Sequence, residues 1–304
     1  MRITQTGLTE RIVEQVRQRY ARLSEAQQRV TTGRAVELPS DNPSAAGEIL
    51  SLNSRLARAE RYERNAQAAL SELNATESSL AILSDLLTRV RAAAVRGANS
   101  ATGEEGRAAL AKQIDSEIDE ALRIANERSG NRYLFGGNRA SSTPYQAERD
   151  EAGQVVGVSR TEDEDPMELE ITVGDGQRLE TGIVAGDLFE LPDGQNLFDV
   201  LIKLRDALKV NDIGSVDTAL THIDAALNLA TDMTSLVGAR AARAQSIIEK
   251  LTNYRNNTAN RLSELVDVDV LEAVTQFNSE QTAYEMSLRA AAKIIQPSLV
   301  NFID

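Results

Sequence analysis

Between Pro43 and Asn99 the chain holds no further proline, and its apolar residues recur at helical spacing: Leu52, Leu56, Ala59, Ala66, Leu70, Leu73, Leu80, Leu83, Leu87, Val90 and Ala94. One helix over that stretch would be about 85 Å long at 1.5 Å per residue. A compact globule of this chain length is only about 50 Å across. The run predicts an elongated antiparallel helical bundle, a coiled-coil rod. Its natural partner is a second long run from Ser215 to about Leu262. Asn42 is a good N-cap and Pro43 suits the first helical position, where a missing N–H costs nothing.

Both ends of the chain carry a narrower apolar pattern. Val13, Val16, Tyr20, Leu23, Gln27 and Val30 alternate in steps of three and four, as do Val270, Val274, Phe277, Gln281, Tyr284, Leu288, Ala291 and Ile295. Such stripes need a partner helix along their length. Residues 1–34 hold seven Arg against three Glu, whereas residues 262–304 hold seven acids against Arg289 and Lys293. Opposite signs beside two apolar stripes are what helical partners use to choose each other. The ends therefore meet each other or join further copies. Fixing about 70 terminal residues costs about 1–2 kcal/mol each in backbone entropy. Residues 1–34 and 264–304 are accordingly expected to be largely disordered in the free subunit and to fold on joining neighbours.

Aromatic content is only 4% and Trp is absent, a composition of long helices rather than of a globular pocket. Without cysteine there is neither a disulfide nor a thiolate metal site. No run approaches the ~18 apolar residues of a membrane span, and the N-terminus lacks a secretory h-region. The expected protein is cytosolic or exported without a cleaved signal, with no membrane partner. Of the net charge of −13, residues 140–195 supply most, with fourteen acids against three Arg. That acidic middle argues against nucleic acid as a partner.

The remaining pattern divides the chain. Residues 1–42 form an N-terminal assembly helix and connector, and 43–139 with 196–262 form the helical rod. Residues 140–195 form an acidic β-rich insertion domain, and 263–304 a C-terminal assembly helix. Thr102 and Glu105 have capping-box spacing ahead of a helix through Ile118 and Ala125. In the insertion, Val155–Val158, 167–173 and 179–184 read as strands, with Gly174-Asp175-Gly176 as a hairpin turn. Asn196 can cap the next helix, and Asp267-Val268-Asp269 marks a break before the terminal stripe.

No enzyme is visible. His222 has no second His or Cys to complete a metal site and reads as a surface histidine. Glu162-Asp163-Glu164-Asp165 lacks the glycine and alternation of a calcium loop. Asp267 and Asp269 are explained by helix capping, and no Rossmann spacing follows Gly174 and Gly176. Neither catalytic, cofactor-binding nor metal residues are expected.

A set of short motifs in fixed order is more telling. Ser40-Asp41-Asn42-Pro43 is followed by Arg61-Tyr62 with Asn65, then Asn126-Glu127-Arg128, Gly130 and Tyr133-Leu134-Phe135-Gly136-Gly137. Gly238-Ala239-Arg240, Gln281, Tyr284, Glu285, Leu288 and Gln296 complete it. In this set the chain resembles the flagellar hook-associated protein 3 family, relatives of flagellin, over nearly everything except 140–195. Asn42 stands where that family has a second acid, and Pro297 departs from it. The resemblance implies a structural junction subunit of the bacterial flagellum, exported without a cleaved signal and located outside the cell. Its implied partners are further copies of itself in a ring, a neighbouring hook-associated protein, flagellin, and an export chaperone on the C-terminal helix. The implied assembly interface is Val13, Val16, Tyr20, Leu23, Val30, Val270, Val274, Phe277, Tyr284, Leu288 and Ile295. Two alternatives stay open: a flagellin filament subunit, and a cytosolic coiled-coil scaffold.

Overall fold

The computed structural model describes residues 5–36, 40, 42–139, 141–161 and 167–300. Three helices come first: α1 (Gln5–Thr32), α2 (Pro43–Ala98) and α3 (Glu104–Ala125). Short antiparallel pairs follow: β1 (Arg128–Ser129) with β2 (Arg132–Tyr133), β3 (Tyr145–Arg149) with β4 (Val155–Arg160), and β5 (Glu170–Gly174) with β6 (Gln177–Glu180). Then come α4 (Ala185–Phe189), α5 (Leu197–Val210), α6 (Ile213–Val266) and α7 (Val270–Val300). The chain is mainly helical, with its long N- and C-terminal helices packed together and only small β-hairpins between them.

Local chemistry sets most helix ends. The Asn42 side chain accepts from the amide of Ala45 at 3.2 Å, directly ahead of Pro43. Asn196 accepts from Phe198 N at 2.9 Å and starts α5, while Asn211 closes it in a left-handed conformation at φ 68°. Asp269 accepts from the amides of Leu271 and Glu272 at 2.9 and 3.3 Å and starts α7 after the expected break. The predicted capping box does not form. Gly103 is the N-cap of α3, and Thr102 instead turns its hydroxyl back to Arg96 O at 2.7 Å. The helical assignment of α7 passes Pro297, although proline removes a helical hydrogen bond there.

The chain divides into two compact units, Ala59–Asn253 and Met1–Arg58 with Tyr254–Asp304. In the first, α2 and α6 run antiparallel, as shown by Arg91 with Asp224 at 2.6 Å and Glu63 with Thr252 at 3.1 Å. Its core joins Leu80, Leu83 and Leu87 to Ile114, Ile118, Leu201, Leu204 and Ile223. Tyr145, Val155, Val173, Leu179 and Phe189 belong to that same cluster. The β-hairpins therefore share a core with the helices rather than building their own. Strands β3 and β6 differ from expectation. Tyr145–Arg149 escaped notice because only Tyr145 is buried in an otherwise polar strand, and the third strand runs only over Gln177–Glu180, with Gly182 O accepting from Arg240 beyond it.

In the second unit, α1 and α7 pack antiparallel. Arg34 bridges Asp267, Val268 N donates to Gly33 O at 3.0 Å, and Tyr20 lies 5.8 Å from Tyr284. Gly33 takes φ 69°, the left-handed exit from α1 that a side chain would strain. The first turns of α2 meet the end of α6 through Glu48 and Arg261 at 2.7 Å.

Candidate functional site

The α1/α7 seam is built from Ile12, Val16, Arg19, Leu23 and Ala26 facing Ala273, Phe277, Glu280, Tyr284, Ser287 and Ala291, all buried or half-buried. In heptad terms these are the a and d positions. The stripe legible in the sequence is a different pair of rows, a and e. Val16, Leu23, Phe277 and Tyr284 serve both, and the structure places them in the seam. Val13, Tyr20, Val274 and Leu288 face outward, 41%, 59%, 39% and 42% exposed. Val30 and Val270, near one end of the seam, are also exposed. Ile295 lies within α7, but its side chain is outside the described residues, as is Asp41 of the motif.

Why the seam is rotated away from the richest stripe is visible in its middle. Arg19 and Glu280 both occupy d and form an ion pair at 3.5 Å, with one Glu280 oxygen buried and accepting no hydrogen bond among the described residues. A charge in such a seam specifies partners at a cost in stability. The rest of the unit is thin. Its buried apolar residues among those described are Ala26, Ala45, Leu52, Val266, Ala273 and Ala291, four of the six being alanine. By contrast, the Ala59–Asn253 unit buries Leu, Ile and Phe completely.

The internal motif residues have another task. Asn126 donates its amide to Tyr145 O and accepts from Tyr145 N, both at 3.0 Å, pairing like a strand with the entry to the insertion. Asn65 donates to Thr172 O at 2.8 Å, and neighbouring Tyr62 donates to Asp175 at 2.8 Å. The Tyr133 hydroxyl meets Thr143 at 3.1 Å. Leu134 and Phe135 are buried, Phe135 edge-on to Phe189 at 6.1 Å, and Gly137 takes φ 53°. These residues form a socket for the hairpins. Ser40 is an exposed turn residue, and Asn42 with Pro43 opens α2.

Sequence reasoning missed the arginines that complete the socket. Arg240 donates to both oxygens of Glu168 at 2.9 Å, to Glu180 and to Gly182 O. Arg205, 3% exposed, reaches Asp115, Asp206 and Val155 O. Gly238-Ala239-Arg240 was legible as a motif, but Arg205 had no signal beyond a cation on an apolar helix. Glu72 stands nearby, its carboxyl pushed up by burial, against the pull of Arg132 and the Thr181 hydroxyl.

His222 is half-buried rather than a surface group. Its Nδ1 lies 2.9 Å from Asp193 and its Nε2 3.3 Å from the Gln195 amide, bracing the turn before α5. It borders a cleft of about 410 Å³ between α5 and α6, together with Lys203 and Val210. Asp206 there is paired with Arg205, and Asp212 caps α6 through Ser215, whose hydroxyl and amide hold its carboxyl below the usual range. Among the described residues no His, Cys, Asp and Glu group could hold a metal, and no helix is long and apolar enough to cross a membrane. Glu162 to Asp165 lie outside the described residues.

Comparison with known proteins agrees with this geometry. Residues 4–140 match the bacterial flagellin N-terminal helical region and residues 220–303 the bacterial flagellin C-terminal helical region. Flagellar hook-associated protein 3 of Escherichia coli (strain K12) is 26% identical over 280 residues, 86% of this chain and 87% of that one. A putative flagellar hook-associated protein from Vibrio parahaemolyticus superposes with a TM-score of 0.67 at 18% identity, over 75% of this chain and all of that one. The flagellar junction protein FlgL from Legionella pneumophila does so with a TM-score of 0.58 at 15% identity, over 72% of this chain and 99% of that one.

Proposed function

The chain belongs to the bacterial flagellin family, whose N- and C-terminal helical regions it carries, and from that premise we propose how it serves as a hook–filament junction subunit. It is a structural, non-enzymatic component of the flagellum, outside the cell. Family membership closes the cytosolic-scaffold reading. The filament-subunit reading yields to the higher identity with hook-associated protein 3, 26% against 21% for the flagellin of Listeria innocua.

The observation that carries the mechanism is the contrast between the two units. One has a filled core; the other closes on alanine and a polar ion pair while turning Val13, Tyr20, Val274 and Leu288 to the outside. Completing the burial of those four side chains is worth on the order of 4 kcal/mol per subunit. In our reading the terminal helices are the assembly interface, comprising Val13, Val16, Tyr20, Leu23 and Val30 with Val270, Val274, Phe277, Tyr284, Leu288 and Ile295. Their partners are further copies of the chain in a ring, the adjoining hook-associated protein and flagellin, with an export chaperone on the C-terminal helix beforehand. Residues 1–42 and 263–304 assemble, 43–139 with 196–262 form the spacer, and the insertion 140–195 packs onto that spacer through the shared core. A strain lacking the chain tests this: hooks without filaments and flagellin shed to the medium are expected, whereas attached filaments would end the proposal.

A further inference from the structure

Antiparallel helices are related by a two-fold axis perpendicular to both. Residues one step beyond each seam d position therefore fall on the same side of the pair. The rows Val13 with Leu288, Tyr20 with Gln281, and Gln27 with Val274 thus share one face of α1/α7. Outside these rows lie the b positions, Glu10, Arg17, Ser24 and Thr31 on α1 and Ala292, Glu285, Asn278 and Leu271 on α7. Arg17 and Glu285 stand at the same level on opposite margins. Both are exposed, and neither forms an ion pair among the described residues.

We infer that this face is a lateral contact between copies, in which the α1 margin of one subunit meets the α7 margin of the next and Arg17 pairs with Glu285 of that second copy. The inference rests on the junction reading and deepens it by naming the face, the neighbour and the charge pair. A closed ring needs two different patches on each subunit, meeting head to tail. A cation on one margin and an anion on the other at the same height supply that asymmetry. Curving the row toward its apolar side brings Val13 and Tyr20 of one copy toward Leu288 and Gln281 of the next, and covers what the internal seam leaves open. Within a single chain the whole width of the pair separates the two charges, so each is left for a neighbour.

The test is a charge swap in a strain deleted for the chain and complemented with full-length variants. Arg17→Glu alone and Glu285→Arg alone place like charges at every contact and should leave at least about tenfold fewer cells with attached filaments. The double variant in one chain should recover, and so should co-expression of the two single variants, whose copies can alternate around a ring. Recovery by the double variant without recovery by co-expression would put the pair inside one chain and overturn the inference. Single variants that behave as wild type would overturn it too, as would loss that neither combination repairs. Wild-type complementation of a filament-less deletion strain keeps the junction reading standing in each of these cases.

Discussion

Replacing Phe135 by alanine separates the two kinds of motif in this chain. Phe135 is fully buried, its ring edge-on to Phe189, which stacks on Phe198 at 5.3 Å while Tyr145 touches both at 5.6 and 5.1 Å. Removing the ring leaves a cavity against Phe189, which belongs to a buried aromatic cluster held by helix and strand. Phe→Ala at such sites costs about 3–5 kcal/mol. The lost edge-on pair adds about 0.5–1.5 kcal/mol to plain burial, which places this site in the upper half of that range. For a unit of this size each kcal/mol moves the melting temperature by about 2–4 °C, so Phe135→Ala should lower it by roughly 8–20 °C. Scanning calorimetry of the purified chain reads this directly. The backbone bond from Ala185 N to Phe135 O at 2.9 Å is untouched, so the loss should reflect packing alone. A shift under about 3 °C, with filaments nonetheless lost, would mean that Phe135 faces a partner, and would refute the assignment of this motif to the socket.

Asn126→Ala should cost about 2–4 kcal/mol in urea unfolding, because both backbone groups of Tyr145 lose their partner at once. Asn126→Asp should do no better, since it sets a carboxylate against Tyr145 O. Glu72 bears on pH. Burial raises its folded pKa above the usual 4.5, so the ionised group penalises the folded state at neutral pH and the penalty fades as pH falls toward 4.5. Glu72→Gln should therefore be more stable than wild type at pH 7.5 and equal to it near pH 4; a lower midpoint at pH 7.5 would contradict the sign. Excision of 145–190 removes Tyr145, Phe189 and Leu179 from the shared core, so it should yield an aggregating or molten unit by near-UV circular dichroism. In hydrogen exchange on the free subunit, amides of α1 and α7 should exchange far faster than those of α3 and α5, and equal protection would defeat assembly-coupled folding.

The long helices were legible because nothing interrupts their period: no proline follows Pro43 until Pro144, and Asn42, Asn196 and Asp269 are capping residues in capping places. The hairpins were legible only where glycine marks a turn, as at Gly176 with φ 70°. Strand β3 was hidden because its neighbours are polar, and an alternating pattern with one buried residue is no pattern at all. The acidic composition of the insertion reports its surface but not its inner side, where Tyr145 and Phe189 are buried. For the terminal stripes, periodicity located the helices and half of each seam. It could not choose between rows a/d and a/e, because the choice depends on Arg19 and Glu280 meeting across the pair, a relation between distant residues that a single-helix pattern does not contain.

That choice has a consequence for how such a subunit avoids premature association. Had α1 and α7 closed on rows a and e, Tyr20, Val13, Val274 and Leu288 would be buried in the free chain and no apolar face would remain for neighbours. Closing on a and d accepts a weaker seam, with Ala26, Ala273 and a solvent-touched ion pair. It holds the two helices in a defined antiparallel register through Arg34 with Asp267 at one end and Tyr20 with Tyr284 further along. The apolar rows are thereby kept together on one side, instead of scattered around two separate helices, and each is diluted by Gln27 or Gln281. An exposed stripe interrupted by glutamine attracts weakly when a single copy meets it and adds up when a full row does. The polar residues that spoil the seam and the stripe are thus part of the same arrangement: they leave the terminal pair too weak to be complete alone and too polar to aggregate, which is the condition a subunit must meet if it is to join only at the end of a growing structure.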